Sequence, residues 1–285
     1  MPKESPSPLV SAEWLQGRLG SPDLVLLDAT FFLPNQGRDA HREYLATHLP
    51  GARFFDIDAV ADRDSPLPHM LPAAAFFADC VGRLGIENHH QVVIYDGNNF
   101  LASARVWWTF RVFGHSRVAV LDGGLARWLA LGLPTESGEP SPAVPRSYTA
   151  TFHPGLVRRL DEVRARLHDA AAQIVDARSP GRFAGSEPEP RPGVRSGHIP
   201  GSRNLFFMRL IDDTTKCLKP PAELEREFRS ASIDPQRPVI ATCGSGVTAA
   251  ILALALYRLG NPYAAVYDGS WTEWGSRDDT PVSTA

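Results

Sequence analysis

Val239-Ile240-Ala241-Thr242-Cys243-Gly244-Ser245-Gly246-Val247-Thr248-Ala249-Ala250 reads as a strand handing over to a helix. β-branched residues open the stretch, Cys243 closes the strand, and a largely apolar run follows from Val247 to Leu259. Gly244 and Gly246 bracket Ser245 and let the backbone curl, so that successive N–H groups and the helix N-terminus face the sulfur. Donors of that kind favour the thiolate, which is the reactive form of cysteine. The competing reading is a core cysteine at a strand end, and it leaves both glycines without a purpose. A phosphate-cleaving Cys-x5-Arg loop needs arginine at position 249, where this chain has Ala249. No guanidinium fork is then available for a phosphate dianion.

Outward from this loop, the chain repeats itself. Leu24-Val25-Leu26-Leu27-Asp28 returns as Ile174-Val175-Asp176, and His48-Leu49-Pro50-Gly51 returns as His198-Ile199-Pro200-Gly201. Val92-Val93-Ile94-Tyr95-Asp96-Gly97 matches the stretch ending in Cys243-Gly244, and Asp122-Gly123 with Trp128 matches Asp268-Gly269 with Trp274. The offsets (176−28=148, 198−48=150, 243−96=147, 268−122=146) are nearly constant, as in a duplicated domain. Strand-like runs alternate with helical stretches at residues 72–84, 105–113, 222–230 and 247–259, the pattern of a parallel sheet covered on both faces. The expected fold is α/β: two tandem domains, each a parallel sheet flanked by helices. Their expected bounds are 1–137 and 155–285, with a proline-rich, polar linker at 138–154. Asp96 stands in the first copy where Cys243 stands in the second, so only the second copy is expected to carry chemistry. Asp28 with His48 and Asp176 with His198 occur equally in both copies. They are therefore read as structural, the aspartates tying strand ends to loops and the histidines fixing the Pro-Gly turns.

The 285 residues suffice for two cored domains, and a formal charge of −3 gives no reason to expect nucleic acid or an anionic membrane. No stretch approaches a transmembrane span. Three cysteines, Cys80, Cys217 and Cys243, argue for reduced thiols. Met1-Pro2-Lys3-Glu4-Ser5-Pro6-Ser7-Pro8 lacks the apolar core of a signal peptide and the arginines of a transit peptide, so cytoplasm is the expected address. Cys80 is expected in a helical core, and Cys217 at an exposed, oxidisable position without function. His89-His90 stands without further ligands at useful spacing, and neither metal nor cofactor is expected.

Cys243-Gly244-Ser245-Gly246-Val247-Thr248-Ala249 resembles the active-site loop of the 3-mercaptopyruvate sulfurtransferases, within the two-domain rhodanese family. In the sister thiosulfate sulfurtransferases two basic residues usually follow the cysteine, where this chain has Gly244 and Ser245. The resemblance implies sulfur transfer from 3-mercaptopyruvate to a thiol or cyanide through a persulfide on Cys243, cradled by the backbone of Gly244, Gly246, Val247 and Thr248. It further implies a proton relay of Ser245, His69 (in His69-Met70-Leu71-Pro72) and Asp58 (in Phe54-Phe55-Asp56-Ile57-Asp58). Arg182 and Arg191, in a stretch at 179–193 that reads as loop, inherit the role of holding the keto acid. The implied acceptor is thioredoxin or a small thiol, and members of the family occur in both cytosol and mitochondria. The alternatives are a thiosulfate sulfurtransferase and a noncatalytic persulfide carrier or protein-binding module.

Overall fold

Runs such as Val92-Val93-Ile94 and Val239-Ile240-Ala241 show no polar alternation, because both of their faces are buried. In the computed structural model, which describes residues 7–33, 36–167, 169 and 171–284, both runs lie inside five-stranded sheets. The first sheet has the order β1 (Leu9–Val10), β5 (Val118–Leu121), β4 (Gln91–Tyr95), β2 (Leu24–Asp28), β3 (Arg53–Phe54). The second has the order β6 (Val157–Arg158), β10 (Ala265–Tyr267), β9 (Val239–Thr242), β7 (Gln173–Asp176), β8 (Arg203–Asn204). Every pairing is parallel, with Asp28 opposite Tyr95 in one sheet and Asp176 opposite Thr242 in the other. The duplication thus reappears as one strand order built twice. In each sheet the connections depart in opposite directions beside the central pair, which opens a crevice at the carboxyl ends of β2 and β4, and again of β7 and β9.

The chain divides into two compact units. The first comprises Met1–Asp62, Pro72–His153 and Asp213–Cys217; the second comprises Arg63–Leu71, Pro154–Asp212 and Leu218–Ala285. The helices of the first unit are α1 (Ala12–Gln16), α2 (Ala40–Ala46), α3 (Ala74–Arg83), α4 (Ser103–Val112) and α5 (Gly124–Ala130). Those of the second are α6 (Leu160–Arg166), α7 (Pro180–Ala184), α8 (Pro221–Ser230), α9 (Ala249–Arg258) and α10 (Ser270–Gly275). Residues 138–153 lie along the first unit, through Gly138 N–H to Leu45 O (2.8 Å), Arg146 N–H to Gly82 O (2.8 Å) and Thr151 N–H to Phe113 O (3.0 Å).

α9 buries every residue from Ala249 to Leu256, as expected of a helix apolar on nearly all sides. α8 instead buries only Leu224 and Phe228, one stripe of an otherwise charged helix. One expectation needs correction. The stretch at 179–193 is not loop throughout, since Ser179 caps α7 by accepting the Arg182 N–H (3.4 Å) and Pro180 sits in its first turn, a Ser-Pro start legible in the sequence. No helix among the described residues is long and apolar enough to cross a membrane. Most of the N-terminal segment behind the cytoplasmic expectation, residues 1–6, lies outside the described residues.

Candidate active site

β9 ends at Thr242 and delivers Cys243 to the crevice of the second sheet, where the residue is 1% exposed. Its backbone is clamped on both sides. The Cys243 N–H donates to Ser270 Oγ (3.2 Å), and the Cys243 carbonyl accepts the Trp271 N–H (2.9 Å). The Gly244 carbonyl accepts both the N–H (2.8 Å) and the hydroxyl (2.7 Å) of Thr272. The start of α10 therefore holds the start of the loop. Gly246 then turns at φ 76°, a left-handed conformation that explains a glycine there, and α9 begins two residues after Val247 with Thr248 as its cap.

The first unit shows what this loop does electrostatically. At the position equivalent to Cys243, the Asp96 carboxylate accepts four backbone N–H bonds: Oδ1 from Asn98 (3.0 Å) and Phe100 (3.1 Å), and Oδ2 from Ala102 (3.1 Å) and Ser103 (2.8 Å). Strand, curled loop and helix start together make a nest for an anionic side chain. The two loops are built alike: Leu125 N–H reaches Asp96 O at 3.0 Å as Trp271 N–H reaches Cys243 O, and α4 and α9 each follow with ten residues. The first loop attains its curl through Asn99 and Phe100 at φ 54° and 62°, and the second through Gly246.

The other candidate residues divide between the units. Ser245 is buried within the Cys243 loop. His69 belongs to the second unit, where it is 9% exposed and held at φ 60°, so it is no surface histidine. Two residues on, the Leu71 N–H donates to Asp268 Oδ2 (2.8 Å), in the corner that also carries Ser270. Asp58 belongs to the first unit and is exposed, its N–H donating to Asp56 Oδ1 (2.8 Å).

Arg182, on α7, faces the loop so closely that a Cβ added to Gly244 would lie 3.1 Å from its Nη2. Its fork is held by Glu189, through Nε to Oε1 (3.2 Å) and Nη2 to Oε2 (2.5 Å). Glu189 Oε1 also accepts from Arg178 Nη1 (2.6 Å), and Arg178 is fully buried against Asp176. Arg191 Nη1 reaches Thr272 Oγ1 (3.4 Å), the hydroxyl that binds the Gly244 carbonyl. Sequence reasoning missed Glu189, Arg178, Ser270 and Thr272. The one available signal was Ser270 standing where the first copy has Gly124.

The two Asp–His pairs are structural contacts. Asp28 and Asp176 each accept a backbone N–H two residues on, from Thr30 (2.8 Å) and Arg178 (2.9 Å). His48 Nδ1 contacts Tyr44 O (2.8 Å) and His198 Nδ1 contacts Phe183 O (2.8 Å). Cys80 lies on α3 but is only half-buried, because that helix turns Phe77, Val81 and Gly82 inward; Cys217 is half-buried too. Glu87 does join His89 and His90, contrary to the sequence expectation of no further ligand. His90 Nδ1 is already taken there by the Glu87 N–H (2.9 Å).

Two parallel α/β units of one strand order, with Cys243 in the second at the position where the first nests Asp96, define a tandem-domain scaffold with a cysteine at the crevice of its second sheet. The rhodanese-like domain model matches residues 11–131 and again 159–277, and the chain belongs to the rhodanese family. It is 44% identical over 297 residues to the Arabidopsis thaliana mitochondrial thiosulfate/3-mercaptopyruvate sulfurtransferase 1, covering 97% of this chain and 78% of that one. It is 46% identical over 275 residues to the Homo sapiens 3-mercaptopyruvate sulfurtransferase, covering 94% and 92%. The crystal structure of SseA from Escherichia coli, described as a 3-mercaptopyruvate sulfotransferase, superposes with a TM-score of 0.83 at 38% identity over 93% of this chain and 99% of that one.

Proposed function

We propose that this protein is a 3-mercaptopyruvate sulfurtransferase whose second unit carries the reaction on Cys243. The observation that carries the reading is the nest: the equivalent loop of the first unit holds an anionic side chain with four N–H donors, and the second unit presents a cysteine there. The Cys243 thiolate attacks the sulfur of 3-mercaptopyruvate. The carbon–sulfur bond breaks with its electron pair going to carbon, and the pyruvate enolate that leaves takes up a proton to become pyruvate. Cys243 retains the outer sulfur as a persulfide cradled by the backbone of residues 244–248. A thiolate acceptor, of the thioredoxin or small-thiol class, then attacks that outer sulfur and releases the Cys243 thiolate.

Arg182 and Arg191 hold the carboxylate and carbonyl of the donor, for which planar forks suit better than point charges. Ser245 and His69 move the proton, and Asp58 is the third residue that the family resemblance assigns to this relay. The neutral Gly244 and Ser245 favour this monoanionic donor over dianionic thiosulfate. Along the sequence we assign the domains to 1–137 and 155–285 with 138–154 as linker, although 63–71 packs in the second unit and 138–153 along the first; the address is a reducing compartment, cytosol or mitochondrion, suited to an odd number of thiols.

The test is direct. Wild-type protein incubated with 3-mercaptopyruvate releases pyruvate and gains one sulfur by intact mass, mapping to Cys243. Cys243→Ser keeps its circular dichroism spectrum but does neither, because oxygen cannot carry the persulfide. Sulfur mapping to Cys80 or Cys217 would sink the assignment.

A further inference from the structure

Arg178 fills a defined place in the second unit. It is 2% exposed, donates through Nε and Nη2 to the buried Asp176 carboxylate (2.7 to 3.1 Å), and gives another Nη2 bond to Gly197 O (2.7 Å). Its guanidinium lies 4.5 Å from the Trp271 ring centroid. The first unit repeats this place without the cation. Asp28 is buried like Asp176 and makes the same turn, accepting a backbone N–H two residues on. That residue is Thr30 where the second unit has Arg178, at the offset of the duplication (178−30=148).

A cavity of about 380 Å³ opens there. It is lined by Asp28, Thr30, Thr47, Gly97 and Leu125, among others. These are the equivalents of Asp176, Arg178, Gly197, Gly244 and Trp271 (197−47=150, 244−97=147, 271−125=146). The space Arg178 fills in one unit is thus open in the other, at the crevice where ligands of open parallel sheets bind. Asp28 Oδ1 is used by the Thr30 N–H, while Oδ2 is buried and has no donor in hydrogen-bond geometry. The Thr30 hydroxyl accepts the Gly97 N–H (2.9 Å) and the Tyr95 hydroxyl accepts the Leu49 N–H (3.0 Å), and each keeps its own proton to donate. At the mouth, Arg38 is paired with Glu43 and stacked 3.8 Å from the Phe32 ring centroid, so the rim is neutral. Burial raises the Asp28 carboxyl above the usual carboxylate range, although the nearby Thr30 and Tyr95 hydroxyls favour its ionised form.

We propose that the crevice of the first unit is a binding site for a compact guanidinium cation, which pairs with Asp28 in the place that Arg178 takes in the second unit. The cation supplies Asp28 with a countercharge and Oδ2 with a donor, and its flat face lies against Leu125. A free guanidino compound and an arginine side chain of another protein present the same group. The site is independent of the sulfur-transfer reading, since it uses none of the residues placed in that chemistry.

The full-length protein is titrated with methylguanidinium chloride by calorimetry, and in parallel with a capped tripeptide carrying a central arginine. Saturable binding to the wild type is expected, with at least a tenfold loss in Asp28→Asn. Thr30→Arg, which copies the second unit, is expected to abolish binding and to raise the melting temperature by filling the cavity from within the chain. Whichever probe binds tighter identifies the source as free compound or protein side chain. Circular dichroism and pyruvate release verify that each variant is folded. The proposal is overturned if the wild type shows no saturation with either probe, or if Asp28→Asn binds equally well. It is also overturned if binding appears only in Arg38→Gln, because the chain's own arginine would then be the occupant.

Discussion

Glu189 decides how Arg182 can act. A guanidinium on a short helix has many rotamers, and only a buried carboxylate that takes its Nε and Nη2 fixes the plane beside Gly244. The cost of burying Glu189 is offset by its second partner, Arg178. Two changes separate charge from shape. Arg182→Lys keeps the charge and loses the fork, so its KM for 3-mercaptopyruvate should rise about tenfold, the worth of roughly one good polar contact. Glu189→Gln keeps the fork but frees it, and should raise KM by a similar factor while kcat falls less. Steady-state kinetics with one common acceptor checks both, and unchanged KM in both variants would leave Arg182 without a part in donor binding. Gly244 makes the same point in reverse, since any side chain there presses on the Arg182 guanidinium.

At the scale of elements, the strand, loop and helix at 239–258 form one device that occurs twice. β9 fixes where the sulfur emerges, α9 starts two residues after Val247, and α10 pins the loop by its N-terminal backbone and the Ser270 and Thr272 hydroxyls. Gly246 is the joint. At φ 76° an alanine incurs about 1–2 kcal/mol of left-handed strain. Gly246→Ala should therefore lower the free energy of urea unfolding by that amount and reduce kcat further, because relief of the strain re-aims the loop's N–H groups. A variant with full activity and full stability would mean that the loop curls elsewhere. The first unit tolerates Asn99 and Phe100 at positive φ in the same device, which shows that the curl is required by the nest and is not a by-product of glycine.

For the whole molecule, the buried titratable groups set the response to acid. His115 follows α4 with Nε2 against His90 O (3.0 Å) and its ring stacked on Tyr148, and burial pushes its pKa down to about 4. The unfolded chain takes up this proton near pH 6.5, whereas the folded chain resists it until about pH 4. The stability His115 contributes is present above pH 6.5 and is lost as pH falls through that window, by at most about 3 kcal/mol. Burial lowers His90 in the same direction, while Asp28, raised by burial, acts oppositely as pH rises above its unfolded value. Urea unfolding of wild type and His115→Gln at pH 7.5, 5.5 and 4.5 should show a shallower loss in the variant; parallel curves would reject the assignment.

Much of this was legible along the chain. Apolar runs without alternation specified buried parallel strands, constant offsets specified a domain made twice, and a cysteine between a strand and two glycines specified the loop, because periodicity and turn chemistry are properties of neighbouring residues. The stretch from Arg63 to Leu71 has no periodicity, and its membership of the second unit, with His69 buried, depends on a chain return across nearly two hundred positions to Asp268. Likewise Glu189, Ser270 and Thr272 matter only through partners brought together by the folded sheet. The sequence determined the fold, its duplication and the place of Cys243 at the end of a central strand. Tertiary structure alone decided what surrounds Cys243, and which of two similar crevices is filled by an arginine, since those contacts exist only when distant strands stand in register.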